Sequence, residues 1–81
     1  MKITVKTFAT VTDITGFSTS SIEITGGKTV GYVLKYLQGE YPRLKKILDS
    51  LLVAVNEEYA DHTHELKEGD VLAIFPPVSG G

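Results

Sequence analysis

One stretch of this 81-residue chain carries a complete helical stripe: Val30, Val33, Leu34 and Leu37 recur at i, i+3, i+4 and i+7. That spacing gathers apolar side chains on one face of an α-helix. Thr29 stands in front of the stripe as an N-cap, its hydroxyl able to accept from an orphan N–H of the first turn. Gly39 fits the left-handed position that stops a helix, and Tyr41-Pro42 marks the break. The other well-patterned segments read as strands. A single main helix covers one face of a sheet and leaves the other to solvent or to a partner.

The strands follow from period-two alternation. Residues 2–8 place Ile3, Val5 and Thr7 on one side and Lys2, Thr4, Lys6 and Phe8 on the other, which predicts a half-buried strand. Residues 9–19, with their Thr, Asp and Ser residues and Gly16, read as a connecting loop. Residues 21–25 alternate again and pair antiparallel with the first strand; Gly26-Gly27 ends them. Pro42 opens a short second turn carrying Leu44, Ile47 and Leu48. Residues 51–55 form a third strand, 56–58 a turn, and 59–65 hold a short irregular strand. Leu66-Lys67-Glu68-Gly69-Asp70 reads as a tight turn with a positive φ at glycine. Residues 71–75 form the most apolar strand, which belongs in the middle of the sheet beside the first. Leu72 and Ile74 are expected to face the helix, and Ala73 and Phe75 to face outward. This order defines an α+β domain over 1–75, followed by an extended tail over 76–81.

Several function classes are excluded or disfavoured. There is no cysteine, so no disulfide or thiolate metal site can form. The net charge is -2 and the lysines are scattered, which argues against nucleic acid as a partner. No apolar run has the length of a membrane span and the N-terminus has no signal-peptide core, so a cytoplasmic protein without a membrane partner is expected. Gly26-Gly27-Lys28-Thr29 resembles the end of a phosphate-binding loop, but that motif needs a further glycine where Ile22 stands. A turn and helix cap is the simpler reading. His62 and His64 would share a face if extended, yet two ligands without a third make no metal site. Glu57, Glu58, Asp61 and Glu65 read as solvated charges. No residue order suggests a catalytic triad, and neither a metal nor a bound cofactor is expected.

The chemistry is concentrated in Pro76-Pro77-Val78-Ser79-Gly80-Gly81. Six extended residues reach roughly 20 Å. The prolines cannot donate to a ladder and stiffen the root. Gly80 and Gly81 lack a Cβ, so the tip can enter a narrow channel and present its carbonyl to another protein. A terminal carboxylate, with a pKa of about 3.5, is anionic and a poor acyl donor until activated. An acyl-adenylate made with ATP is the usual solution.

Val55-Asn56-Glu57-Glu58, Leu66-Lys67-Glu68-Gly69-Asp70 and the ending Ala73-Ile74-Phe75-Pro76-Pro77-Val78-Ser79-Gly80-Gly81 together resemble the small subunit of molybdopterin synthase. That family is a ubiquitin-like β-grasp sulfur carrier, with a mixed four- to five-stranded sheet, one main helix on one face and a flexible tail. The resemblance implies that an adenylyltransferase related to ubiquitin-activating enzymes adenylates Gly81, and that a persulfide donor converts it to a thiocarboxylate. It also implies that Pro76, Pro77, Val78, Ser79 and Gly80 lie in a channel of the large subunit, where sulfur passes to cyclic pyranopterin monophosphate. The complex implied has two small and two large subunits, and the catalytic groups belong to the partners. Phe8, Phe75 and Ala73 are expected to form an exposed interface patch beside the tail. A carrier for thiamine or another sulfur product, a ubiquitin-like modifier joined to lysines, and a β-grasp interaction module with an inert tail are the alternatives.

Overall fold

The computed structural model describes residues 1–77; the expectations for Val78, Ser79, Gly80 and Gly81 lie outside the described residues. A strand β1 (Lys2–Thr7) pairs antiparallel with β2 (Thr19–Glu23) and parallel with β5 (Val71–Phe75). On its other side β5 pairs antiparallel with β3 (Leu52–Val55), which in turn pairs with β4 (Glu58–Ala60). The sheet order is β2-β1-β5-β3-β4, so the most apolar strand is central and lies beside the first, as its composition predicts. A short helix α1 (Thr10–Thr15) links β1 to β2, and the main helix α2 (Val30–Glu40) follows β2. A mixed five-stranded sheet with one main helix on one face is the ubiquitin-like β-grasp.

The core is what the two periodicities require. Ile3 and Val5 of β1, Leu72 and Ile74 of β5, and Val53 and Val55 of β3 are buried with Val30, Val33, Leu34 and Leu37 of α2. Leu44, Leu51 and Leu66 complete the same cluster. Each such side chain contributes about 1.5–3 kcal/mol of transfer free energy. The first N–H groups of α2 are all occupied. Thr29 Oγ1 accepts from Tyr32 N at 3.3 Å, while Val30 N and Gly31 N donate to the carbonyls of His64 and His62 at 2.9 and 2.8 Å. A Cβ on Gly31 would stand 3.1 Å from the His62 carbonyl oxygen, so glycine permits this approach. Lys28 Nζ lies over the Tyr32 ring, 4.7 Å from its centroid. The glycine-rich approach to α2 is therefore a turn and cap, with its donors already used.

Three local expectations need correction. The stretch 9–19 is not simply a loop, since Thr10–Thr15 is helical. Val11 and Thr15, four residues apart, are buried, and Gly16 in the left-handed region closes the helix by donating to the Thr12 carbonyl at 2.8 Å. Gly39 does not stop α2, which continues to Glu40; Tyr41 N donates to the Leu37 carbonyl at 2.7 Å and ends it. The second strand lies at Thr19–Glu23 rather than 21–25. Thr7 fixes this offset, because its N donates to the Ser18 carbonyl at 3.0 Å and its buried hydroxyl to the Phe17 carbonyl.

Asp70 joins two turns. Its carboxylate accepts from Lys67 N at 2.8 Å and from Asn56 Nδ2 at 2.9 Å, with only 9% of its surface exposed. Asn56 Oδ1 in turn accepts from Val71 N at 3.0 Å. Thus the turn before β5 is tied to the β3–β4 hairpin, in which Asn56 and Glu57 have φ of 52° and 72°. Such paired positive values belong to the two-residue turn that matches strand twist. Replacing Asp70 with alanine leaves two donors unpaired and should cost about 1–3 kcal/mol in urea unfolding. Ala9 has φ 52° and ψ -125°, a region that favours glycine. Ala9→Gly should therefore raise stability by about 1 kcal/mol, as relief of strain outweighs the added chain entropy. An unfolding midpoint below that of the wild type would refute that balance.

Candidate docking face and tail root

The helix-free face of the sheet is built by the side chains that alternate away from the core. Along one row, Lys6, Ala73, Ala54 and Tyr59 are neighbours on β1, β5, β3 and β4. Along the next, Phe75 pairs with Leu52 on one side. On the other side it meets Phe8, which immediately follows β1. The Phe8 and Phe75 rings are stacked, with centroids 4.7 Å apart and planes inclined by 10°. Phe8 is 42% exposed, Leu52 41% and Tyr59 82%, while Ala73 and Phe75 are partly covered. The structure thus brings together Phe8, Phe75 and Ala73, the three residues expected there.

A groove of about 370 Å³ runs across this face, with Phe8, Phe75 and Ala73 among its walls and Lys6 and Glu57 adding opposite charges. Leu52 and Tyr59 extend the patch beyond the sequence expectation. The signal for Leu52 was present, since it alternates with the inward Val53. Tyr59 could be placed only once β4 was known to pair with Ala54. The patch reaches the end of β5. From there Pro76 and Pro77 lead off without strand pairing.

The other candidates separate from this face. Among the described residues, no group of three or more His, Asp or Glu side chains could hold a metal ion. His62 Nε2 is 3.4 Å from the Leu51 carbonyl oxygen, in the loop that covers the α2 N-terminus. The hydroxyl and the backbone N–H of Thr63 both donate to the Asp61 carboxylate and hold its pKa below the ordinary carboxylate value. No helix among the described residues is long and apolar enough to cross a membrane.

Comparison with known proteins agrees with this geometry. The profile of the ThiS family matches residues 5–81. The molybdopterin synthase sulfur carrier subunit of Arabidopsis thaliana is 32% identical over 81 residues, covering 100% of this chain and 84% of that protein. Small archaeal modifier protein 1 of Haloferax volcanii is 36% identical over 94% of this chain and 97% of its own. Its crystal structure superposes with a TM-score of 0.84 at 34% identity, covering 100% of both chains. The complex of subunits 1 and 2 of the molybdopterin-converting factor from Helicobacter pylori contains a chain with TM-score 0.67 and 27% identity, again covering 100% of both. The fold and the match along the chain define a ubiquitin-like β-grasp protein. The chain belongs to the ThiS family.

The stack and the core should respond differently to truncation. Phe8→Ala removes an exposed aromatic pair and should cost about 0.5–1.5 kcal/mol. Ile74→Ala, on the opposite face of the sheet and 1% exposed, should cost about 2–5 kcal/mol. Urea unfolding of the two variants measures the contrast; equal losses would mean that Phe8 is part of the core.

Proposed function

We propose that this chain is a sulfur carrier and the small subunit of a molybdopterin synthase. The Gly81 carboxylate attacks ATP held by an adenylyltransferase related to ubiquitin-activating enzymes, releasing pyrophosphate. The terminal sulfur of a persulfide donor then displaces AMP to give an acyl disulfide, and a partner thiol attacks the donor's inner sulfur, leaving a disulfide on the donor and the thiocarboxylate at Gly81. Pro76, Pro77, Val78, Ser79 and Gly80 carry it into a large subunit, which supplies the catalytic groups for transfer to cyclic pyranopterin monophosphate. Two small and two large subunits make the assembly. In this reading the small subunit binds no cofactor or metal and works in the cytoplasm.

The observation that carries the reading is the stacked Phe8–Phe75 pair at the root of the tail, on the sheet face that α2 leaves open. Aromatic anchors of this kind concentrate binding energy at interfaces. The Arabidopsis relative and the Helicobacter complex supply the partner class. A second reading, a ubiquitin-like modifier joined to lysines through Gly81, is favoured by the 36% identity to the Haloferax modifier. The family match also keeps a carrier for thiamine or another sulfur product as an alternative.

Intact mass separates them. With its activating enzyme, ATP and a sulfur donor, the full chain should gain the mass difference of one oxygen replaced by sulfur. High-mass lysine conjugates would favour the modifier reading, and an unchanged mass would sink the carrier reading. Phe75→Glu should weaken the complex with the large subunit at least tenfold while the domain stays folded by circular dichroism. Unfolding of this variant would count against the docking role.

A further inference from the structure

The two edges of the sheet are not equivalent. β4 spans only Glu58–Ala60, and a short strand is a protected edge. β2 spans Thr19–Glu23 and carries no proline or lysine, two of the features that blunt an edge strand. Its hydrogen-bonding direction follows from the ladder. Thr7 N donates to the Ser18 carbonyl and Ile24 N to the Met1 carbonyl, so even-numbered residues turn their backbone groups toward β1. Antiparallel alternation then points the N–H and C=O groups of Thr19, Ser21 and Glu23 outward.

Beside that edge lies a second groove of about 330 Å³, between β2 and α2. Ile22, Leu37 and Phe17 give it an apolar floor. Tyr36 and Tyr41 line it from the helix side, and the Tyr41 ring is tilted against Phe17 with centroids 6.2 Å apart. Glu40 is the charged side chain of the lining and has no ion-pair partner among the described residues. Glu23, at the end of the same strand, adds a second carboxylate whose ion pair is with the N-terminal ammonium at 3.8 Å.

We propose that the β2 edge and this groove bind an extended peptide segment of a partner protein, basic and apolar in alternation. The segment adds as a sixth strand on the backbone groups of Thr19, Ser21 and Glu23. Its apolar side chains enter the groove against Ile22 and Leu37, and a Lys or Arg meets Glu40. Charge decides the occupant: Glu40 lacks an ion pair among the described residues, and a basic segment supplies one where a second copy of the same edge would bring another Glu40. The site shares no lining residue with the groove on the open sheet face and lies apart from the end of β5.

The test uses the full chain labelled with ¹⁵N and a capped hexapeptide of alternating lysine and valine as the probe. Amide shifts should concentrate at Thr19, Ser21 and Glu23, along α2 from Tyr36 to Glu40, and at Tyr41. Glu40→Lys should weaken binding at least fivefold, and glutamate in place of the peptide's lysines should do the same. Ser21→Pro removes an outward donor without taking a bond from β1, and should abolish binding while the amide spectrum stays dispersed. Should that variant fail to fold, a peptide N-methylated on its pairing edge makes the same cut on the other partner and should not bind. Shifts confined to Phe8, Ala73 and Phe75, equal binding of the glutamate peptide, retained binding of the N-methylated peptide, or no shift at millimolar peptide would each overturn the proposal. So would dimerisation through β2 without peptide.

Discussion

The parallel pairing of β1 with β5 organises the molecule. It sets Val5 opposite Leu72 and Thr7 opposite Ile74. One side of both strands thereby forms the floor on which α2 packs. Parallel neighbours cannot be joined by a tight turn and require a long crossover. Here everything from β2 to β4 lies between them in sequence, and α2 fills the covered face on the way. The same pairing brings Phe8 beside Phe75 on the uncovered face, at the strand end from which the tail departs. Core, docking patch and tail root are thus consequences of one register.

Polar interactions hold that register at its two ends. Near the start of β5, the Asp70 carboxylate and the Asn56 amide connect the turn before the strand to the β3–β4 hairpin. Thr4 N also donates to the Asp70 carbonyl at 3.0 Å, which ties the turn to β1. Near the end of β1, Thr7 Oγ1 lies 2.9 Å from Thr12 Oγ1 and bonds the Phe17 carbonyl, fastening α1 to the entry of β2. Among the described residues no buried side-chain N or O lacks a partner, as expected where an unpaired buried group costs more than a bond returns. A small domain with no disulfide and no metal site among the described residues depends on such closure.

The division of labour follows from the scarcity of covering structure. One helix covers one face, so Phe8, Leu52, Phe75 and Tyr59 stay accessible. In an isolated small domain such an apolar patch is a liability, and its position at the tail root turns it into a docking surface in the proposed assembly. Among the described residues, no group of three or more His, Asp or Glu side chains could hold a metal ion. In the proposed assembly the domain presents a chain end and the reaction chemistry is left to partners.

Much of this was legible in the residues. The 3.6-residue stripe of α2, the alternation of β1 and β5, and the outward position of Phe8, Ala73 and Phe75 all follow from local periodicity, because burial on one face imposes it. The ending Pro76 to Gly81 pointed to a thin, presentable terminus through the missing N–H groups of proline and the missing Cβ of glycine. Tertiary structure alone decided other features. The helix at Thr10–Thr15 depends on burial of Val11 and Thr15, and α2 runs past Gly39 to its C-cap Tyr41, whose ring packs against Phe17. The frame of β2 was set by the hydrogen bonds of Thr7. Tyr59 joined the patch only through the pairing of β4 with Ala54, and Asp70 became a buried latch only through Asn56 on the β3–β4 turn. These are choices among locally similar conformations, separated by about 1 kcal/mol or less, and contacts between remote residues make them.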